Sequence, residues 1–246
     1  MKKVMFFMLV ILISGNLWAR NFSISAGTGG FMGGLFTRYD LKASGNSIVV
    51  DAGQKMNQLS FGGLIFFDAT YGELSVSLQN GKNKWTQNLD MNVIKNSEPD
   101  TGNGWETMLS FSLLGKFPFS LGSRFAVFPL LGMEFQISLL QKRTHSEGYV
   151  YERDDGSRER DKDGNAYKLS DWNSFFVEVG CGADFEILKR IYLRGEFLYA
   201  FRLMTSYEKK NLDQIKSLTG DNNPSKSGLT SGPILRLSAG YRFYNS

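Results

Sequence analysis

The chain has one cysteine, one histidine and five prolines, and these scarcities close off whole classes of protein. A lone Cys181 permits neither an internal disulfide nor a thiolate metal cluster. With His145 alone and in a charged stretch, no strand pairs a serine with a histidine or another base, so acyl-transfer catalysis is not expected. After the N-terminal segment no run of about 18 apolar residues occurs, which excludes membrane crossing by helices. The net charge of +4 is too small to point to nucleic acid as a partner.

At the N-terminus, Lys2 and Lys3 precede an unbroken apolar run from Val4 to Ile13, and Ser14 to Ala19 adds a polar stretch ending in a small residue. This is the pattern of a secretory signal peptide, with cleavage expected after Ala19. The apolar run, about ten residues, is too short for the roughly twenty that a transmembrane helix needs. No cysteine immediately follows the cut, which disfavours a lipid anchor. The expected organisation is a signal peptide over residues 1–19 and a single domain over residues 20–246, the charge falling from +4 to +2 with the loss of Lys2 and Lys3.

What is plentiful is Phe, Tyr and Gly, set in eight segments that alternate apolar and polar. They run Phe22 to Tyr39, Leu59 to Phe67, Tyr71 to Asn80, Trp105 to Phe117, Phe125 to Leu140, Trp172 to Phe185, Ile191 to Met204 and Gly232 to Phe243. Each approaches or exceeds the roughly 9–11 residues of a tilted membrane strand. The gaps alternate long and short. Asp68 to Thr70, Pro118 to Arg124 and Glu186 to Arg190 are the short ones; Asp40 to Gln58, Gly81 to Gly104, Gln141 to Asp171 and Thr205 to Ser231 are the long ones. Even strand number with tight turns at one end and long loops at the other is the layout of outer-membrane barrels.

The predicted fold class is therefore all-β, an eight-stranded antiparallel up-and-down transmembrane β-barrel. A soluble sandwich also alternates, but its turns recur every 8–12 residues. Here the apolar faces also carry aromatics near their ends, such as Trp105 and Phe117 or Tyr241 and Phe243, as membrane girdles do. Cys181 falls on an apolar, lipid-facing row. The glycines at 27, 29, 30, 33 and 34 predict a bulge or sharp bend in the first strand, and Pro129 and Pro233 predict bulges because a closed barrel has no free edge.

The polar faces define the interior. Glu73, Glu106, Glu134, Glu178, Asp184 and Glu196 point inward with Lys116, Arg194, Arg202, Arg236 and Arg242. Eight strands leave a lumen just wide enough for side chains, so these charges must pair. A salt-bridge plug is expected, centred on Glu134, Glu178, Glu196, Arg202 and Arg236, with Arg194 in the same network. It reads either as the polar core of the barrel or as an ion gate. Met108, Leu130, Phe128, Phe66 and Leu64 could instead line a short apolar trough. In the third long gap, Glu159, Asp161, Asp163 and Gly164 match part of a calcium-loop spacing, but Ser170 stands where the bidentate Glu belongs. Neither a metal nor a cofactor is expected.

The last segment, Leu235-Arg236-Leu237-Ser238-Ala239-Gly240-Tyr241-Arg242-Phe243, resembles the C-terminal signal read by the barrel-assembly machinery, with Gly240, Tyr241 and Phe243 as its marks; Tyr244, Asn245 and Ser246 extend beyond it. With the eight-strand layout, the chain resembles the small outer-membrane barrel family that includes OmpW, OmpX and the OmpA membrane domain. The segments Phe128 to Phe135 and Tyr192 to Phe197 are similar to small spirochaete barrels. The resemblance implies residence in the outer-membrane lipid, with the termini and tight turns in the periplasm and four loops outside. Two roles follow as expectations. One is a structural or surface-interaction protein whose loops meet host molecules in adhesion or as antigens; the other is a narrow conduit for small solutes, as in OmpW.

Overall fold

Strict alternation of side chains commits each of these segments to an extended strand with one apolar and one polar face. In the computed structural model, which describes residues 22–245 apart from 47, 92–99, 146–149, 154–168, 204 and 222, the strands are β1 (Ser23–Gly45), β2 (Ile48–Ala69), β3 (Gly72–Met91), β4 (Asp100–Lys116), β5 (Phe119–Ser120), β6 (Phe125–His145), β7 (Val150–Arg153), β8 (Ser174–Leu188), β9 (Ile191–Arg202) and β10 (Ser225–Asn245). A helix, α1 (Ser206–Thr219), and a 3-10 turn, Leu169–Trp172, complete the described elements. The signal segment 1–19 and residues 159–164 of the calcium-like spacing lie outside the described residues.

All pairings are antiparallel. β1 joins β2 and β10, and β2–β3, β3–β4, β4–β6, β6–β8, β8–β9 and β9–β10 complete a ring of eight. The β4–β6 pairing closes the barrel, with a register shift at Thr107/Met108. The short β5 and β7 pair with β6 at its two ends.

Four expectations need correction. The first long gap is nearly all strand: β1 and β2 pair out to Gly45↔Ile48, leaving a connection of two residues. The fourth long gap, Thr205 to Ser231, is largely α1 and the start of β10. The glycine-rich stretch of β1 keeps one register from Ser25 to Lys42, and the bulge lies earlier, at Ile24/Ser25. Gly27 instead makes room inside the barrel, since a Cβ there would stand 2.4 Å from the Phe66 ring. Neither proline forms a bulge. Pro129 pairs in register with Cys181 where β4 has ended at Lys116 and β5 has not begun, and Pro233 pairs in register with Tyr199.

The packing is inside-out relative to a soluble protein. Large apolar side chains such as Phe61, Ile65, Leu74, Leu131, Phe197 and Leu237 are exposed on the outer wall, while Glu73, Glu134, Glu178, Arg194 and Arg236 are buried within. A wall of this kind is stable only against lipid. Cys181 lies on it, exposed. The band ends abruptly at its upper edge: beyond Phe36 the outward residues of β1 are Arg38, Asp40 and Lys42, with side chains 72%, 50% and 69% accessible. The upper halves of β1, β2 and β3 thus extend past the band, away from the tight turns.

Candidate functional site: a plugged lumen and a capped mouth

Below the band's centre, near the tight turns, Arg194 is the hub. Its Nε and Nη2 donate to Asp184 at 2.7 and 3.0 Å, Nη2 donates to Asp68 at 2.7 Å, and Nη1 donates to Glu73. Lys116 also pairs with Asp68. The guanidinium lies about 5 Å from the ring centroids of Phe66, Phe128 and Tyr192. The Tyr192 hydroxyl shares a 2.8 Å hydrogen bond with Ser25. Gly240 is needed here, because a Cβ would meet the Tyr192 ring at 2.3 Å. Closer to the turns, Arg242 donates to Glu186 at 2.7 Å.

One level higher, Arg236 Nη2 donates to Glu134 at 3.1 Å and to Glu178 at 3.4 Å. Gln136 and Gln79 donate to Glu134, and Ser112 to Glu178. Fork-shaped arginines suit these sites because one guanidinium can satisfy several carboxylates without a change of geometry. Apolar side chains pack around the ion clusters: Leu114, Phe128, Leu130 and Leu198 form one group, and Leu64, Phe66 and Tyr192 another. Four of the five residues considered for an apolar trough are therefore packed into the filling, while Met108 lines a polar recess above it.

The expected single plug is thus two clusters. Glu134, Glu178 and Arg236 meet in one; Arg194 is the centre of the other. Glu196 is buried and lies opposite Arg236 in the β9–β10 register, but takes part in no ion pair among the described residues. Arg202 stands apart at the mouth, where Nη2 donates to Glu208 of α1 at 2.5 Å. Asp68, which the sequence pattern places in a turn, shares inward parity with Leu64 and Phe66 on β2.

The mouth itself is capped. Thr205 and Glu208 form a reciprocal capping box at the start of α1, and Gly220 ends the helix in the left-handed conformation. The Tyr39 hydroxyl donates to Glu208 at 2.7 Å, and Lys210 donates to Asp171 at 2.8 Å. Three contacts thus tie the helix to β1, β9 and the 3-10 turn. The Thr205-Ser206-Tyr207-Glu208 spacing was the available sequence signal for it. Between the cap and the upper ion cluster lies a recess lined by Gln54, Gln58, Asn83, Gln141, Met108 and Trp172, among others. Among the described residues no group of His, Cys, Asp and Glu is arranged to hold a metal ion. Tyr241 and Phe243 stand on the outer wall, their ring centroids 5.4 Å apart.

No protein-family model matches the chain, and no curated protein does. Among solved structures, the outer membrane protein OprG from Pseudomonas aeruginosa is similar at 12% identity, covering 92% of this chain and 98% of its own, with a TM-score of 0.41. Neisserial surface protein A is similar at 14% identity, with 89% and 97% covered and a TM-score of 0.34. Ail, the attachment invasion locus protein of Yersinia pestis, is similar at 11% identity, with 90% and 99% covered and a TM-score of 0.30. At scores this low, function has to be argued from the chain's own residues.

Proposed function

We propose that the protein is an integral outer-membrane barrel that acts through its outer surface, in membrane structure or in contact with host molecules, rather than through its lumen. The observation that carries this reading is the filling of the lumen. Arg194, with its three carboxylates and three aromatic rings, and Arg236, with two carboxylates, occupy successive levels with apolar side chains packed around them. An eight-stranded ring has no room beside such a filling for a hydrated path. The strands that rise above the lipid band, and α1 across the mouth, then form the presenting surface. The tight turns face the periplasm on this reading, and Gly240, Tyr241 and Phe243 serve recognition by the barrel-assembly machinery.

Adhesion of cells displaying the full chain to host matrix tests the role. Deletion of residues 144–168 should abolish adhesion while heat-modifiable migration, the mark of a folded barrel, is kept. Undiminished adhesion by the deleted protein would remove this loop from the account. The conduit reading has the weaker support, because the apolar residues it would use are largely packed against one another.

A further inference from the structure

The upper rim of the lipid band is chemically uneven. On β2, β3 and β4 the outward residues form three successive cross-strand rows: Leu59, Lys82 and Trp105; then Asn57, Lys84 and Asn103; then Lys55, Thr86 and Thr101. All three lysines are exposed, and among the described residues none takes part in an ion pair. The nearby outward acids of β1 and β2 are already engaged, Asp40 by Arg38 at 3.5 Å and Asp51 by Lys42 at 3.1 Å. Across β1 from this patch the rim changes character, with Leu229 of β10 at the height of Arg38. Directly below, Phe61 packs edge-on against Trp105 with ring centroids 6.1 Å apart, and the apolar wall begins.

We propose that this patch, comprising Lys55, Lys82, Lys84, Asn57, Asn103 and Trp105, binds the phosphorylated sugar headgroup of a lipid in the outer leaflet. Strand spacing sets the scale. Lys82 and Lys84 are about 7 Å apart along β3, and Lys55 lies about 8 Å diagonally from Lys84. These separations let ammonium groups on flexible stems converge on one phosphate or reach two on the same headgroup. The two asparagine amides flank Lys84 and supply donors and acceptors for sugar hydroxyls, and the Trp105 ring offers a face for the sugar itself. Because the wall immediately below is apolar, a lipid held here keeps its acyl chains against Phe61 and Leu78, which a free phosphate cannot do.

This assignment rests on the outer-membrane reading, and the test separates the two. Full-length protein in zwitterionic nanodiscs is presented, by native mass spectrometry, with a diphosphorylated glycolipid, its dephosphorylated form, an anionic phospholipid and inorganic phosphate. The phosphorylated glycolipid should be retained best, and at low salt binding should weaken about fivefold for each lysine removed in K55Q, K82Q and K84Q combinations. R124Q/K189Q, which removes two charges at the tight turns, should leave binding unchanged. Equal retention of the dephosphorylated lipid, preference for the phospholipid, saturation by inorganic phosphate, or an unaffected triple variant would each overturn the proposal. If the triple variant does not migrate as a folded barrel, K84Q alone carries the same fivefold expectation. Failure of the wild-type chain to enter bilayers would instead defeat the outer-membrane reading.

Discussion

Replacing Arg194 is the most direct way to ask whether the lower ion cluster holds the barrel together. The residue is 2% exposed, and its side chain makes four hydrogen bonds to three carboxylates. In Arg194→Ala, Asp68 keeps Lys116, but Glu73 and Asp184 lose the cation they face. Removing one partner of a buried ion pair costs roughly 3–5 kcal/mol, so at least that loss is expected, with the contact to three aromatic rings lost as well. Arg194→Lys keeps the charge but offers three N–H groups for four bonds and has no planar fork, so about 1.5–3 kcal/mol should go. Urea unfolding in lipid vesicles, followed by tryptophan fluorescence and gel migration, reads both values. An alanine variant within about 0.5 kcal/mol of wild type, the range of an ordinary surface substitution, would refute the reasoning.

Other consequences are open to simpler assays. Gly182→Ala places a Cβ 2.3 Å from the Phe128 ring, which is confined by Lys116 and Arg194, so a loss of about 1–3 kcal/mol is expected in the same urea assay. Glu208→Ala removes half of the capping box and the contacts to Arg202 and Tyr39. Loosening of α1 by about 1–2 kcal/mol should appear as faster trypsin cleavage at Lys209, Lys210 or Lys216 while the barrel stays resistant; unchanged cleavage would count against the cap. Cys181, exposed on the apolar wall, should react with a lipid-soluble maleimide and resist a membrane-impermeant one. Reaction with the impermeant reagent would place that face in water.

The strand count, the ring and the inward direction of the charges were legible because a two-residue period survives any detail of packing. Strand ends were not. Above the lipid band the two-residue period runs on with its faces exchanged, Arg38, Asp40, Lys42 and Asp51 pointing outward and Leu41, Ala43 and Val50 inward, so a strand marked by its apolar outer face ends too early although the ladder continues to Gly45. Asp68 was hidden by its place beside a tight turn, which masked its inward parity. Partner choice inside the lumen was also beyond the sequence. Arg194 and Arg202 lie on one face of β9, but their difference in height sends the first to Asp184 and the second to α1. In the glycine-rich stretch, absence of a side chain signals either a bulge or space for a neighbour, and at Gly27 Phe66 takes the space.

Closure of the lumen by its own side chains can be read out by single-channel recording of the full-length protein in planar bilayers. A current trace indistinguishable from the bare bilayer is expected for the wild type, and Arg236→Ala should leave it so, because the Arg194 level still blocks the path. Stable unitary steps from the wild-type protein would contradict the account.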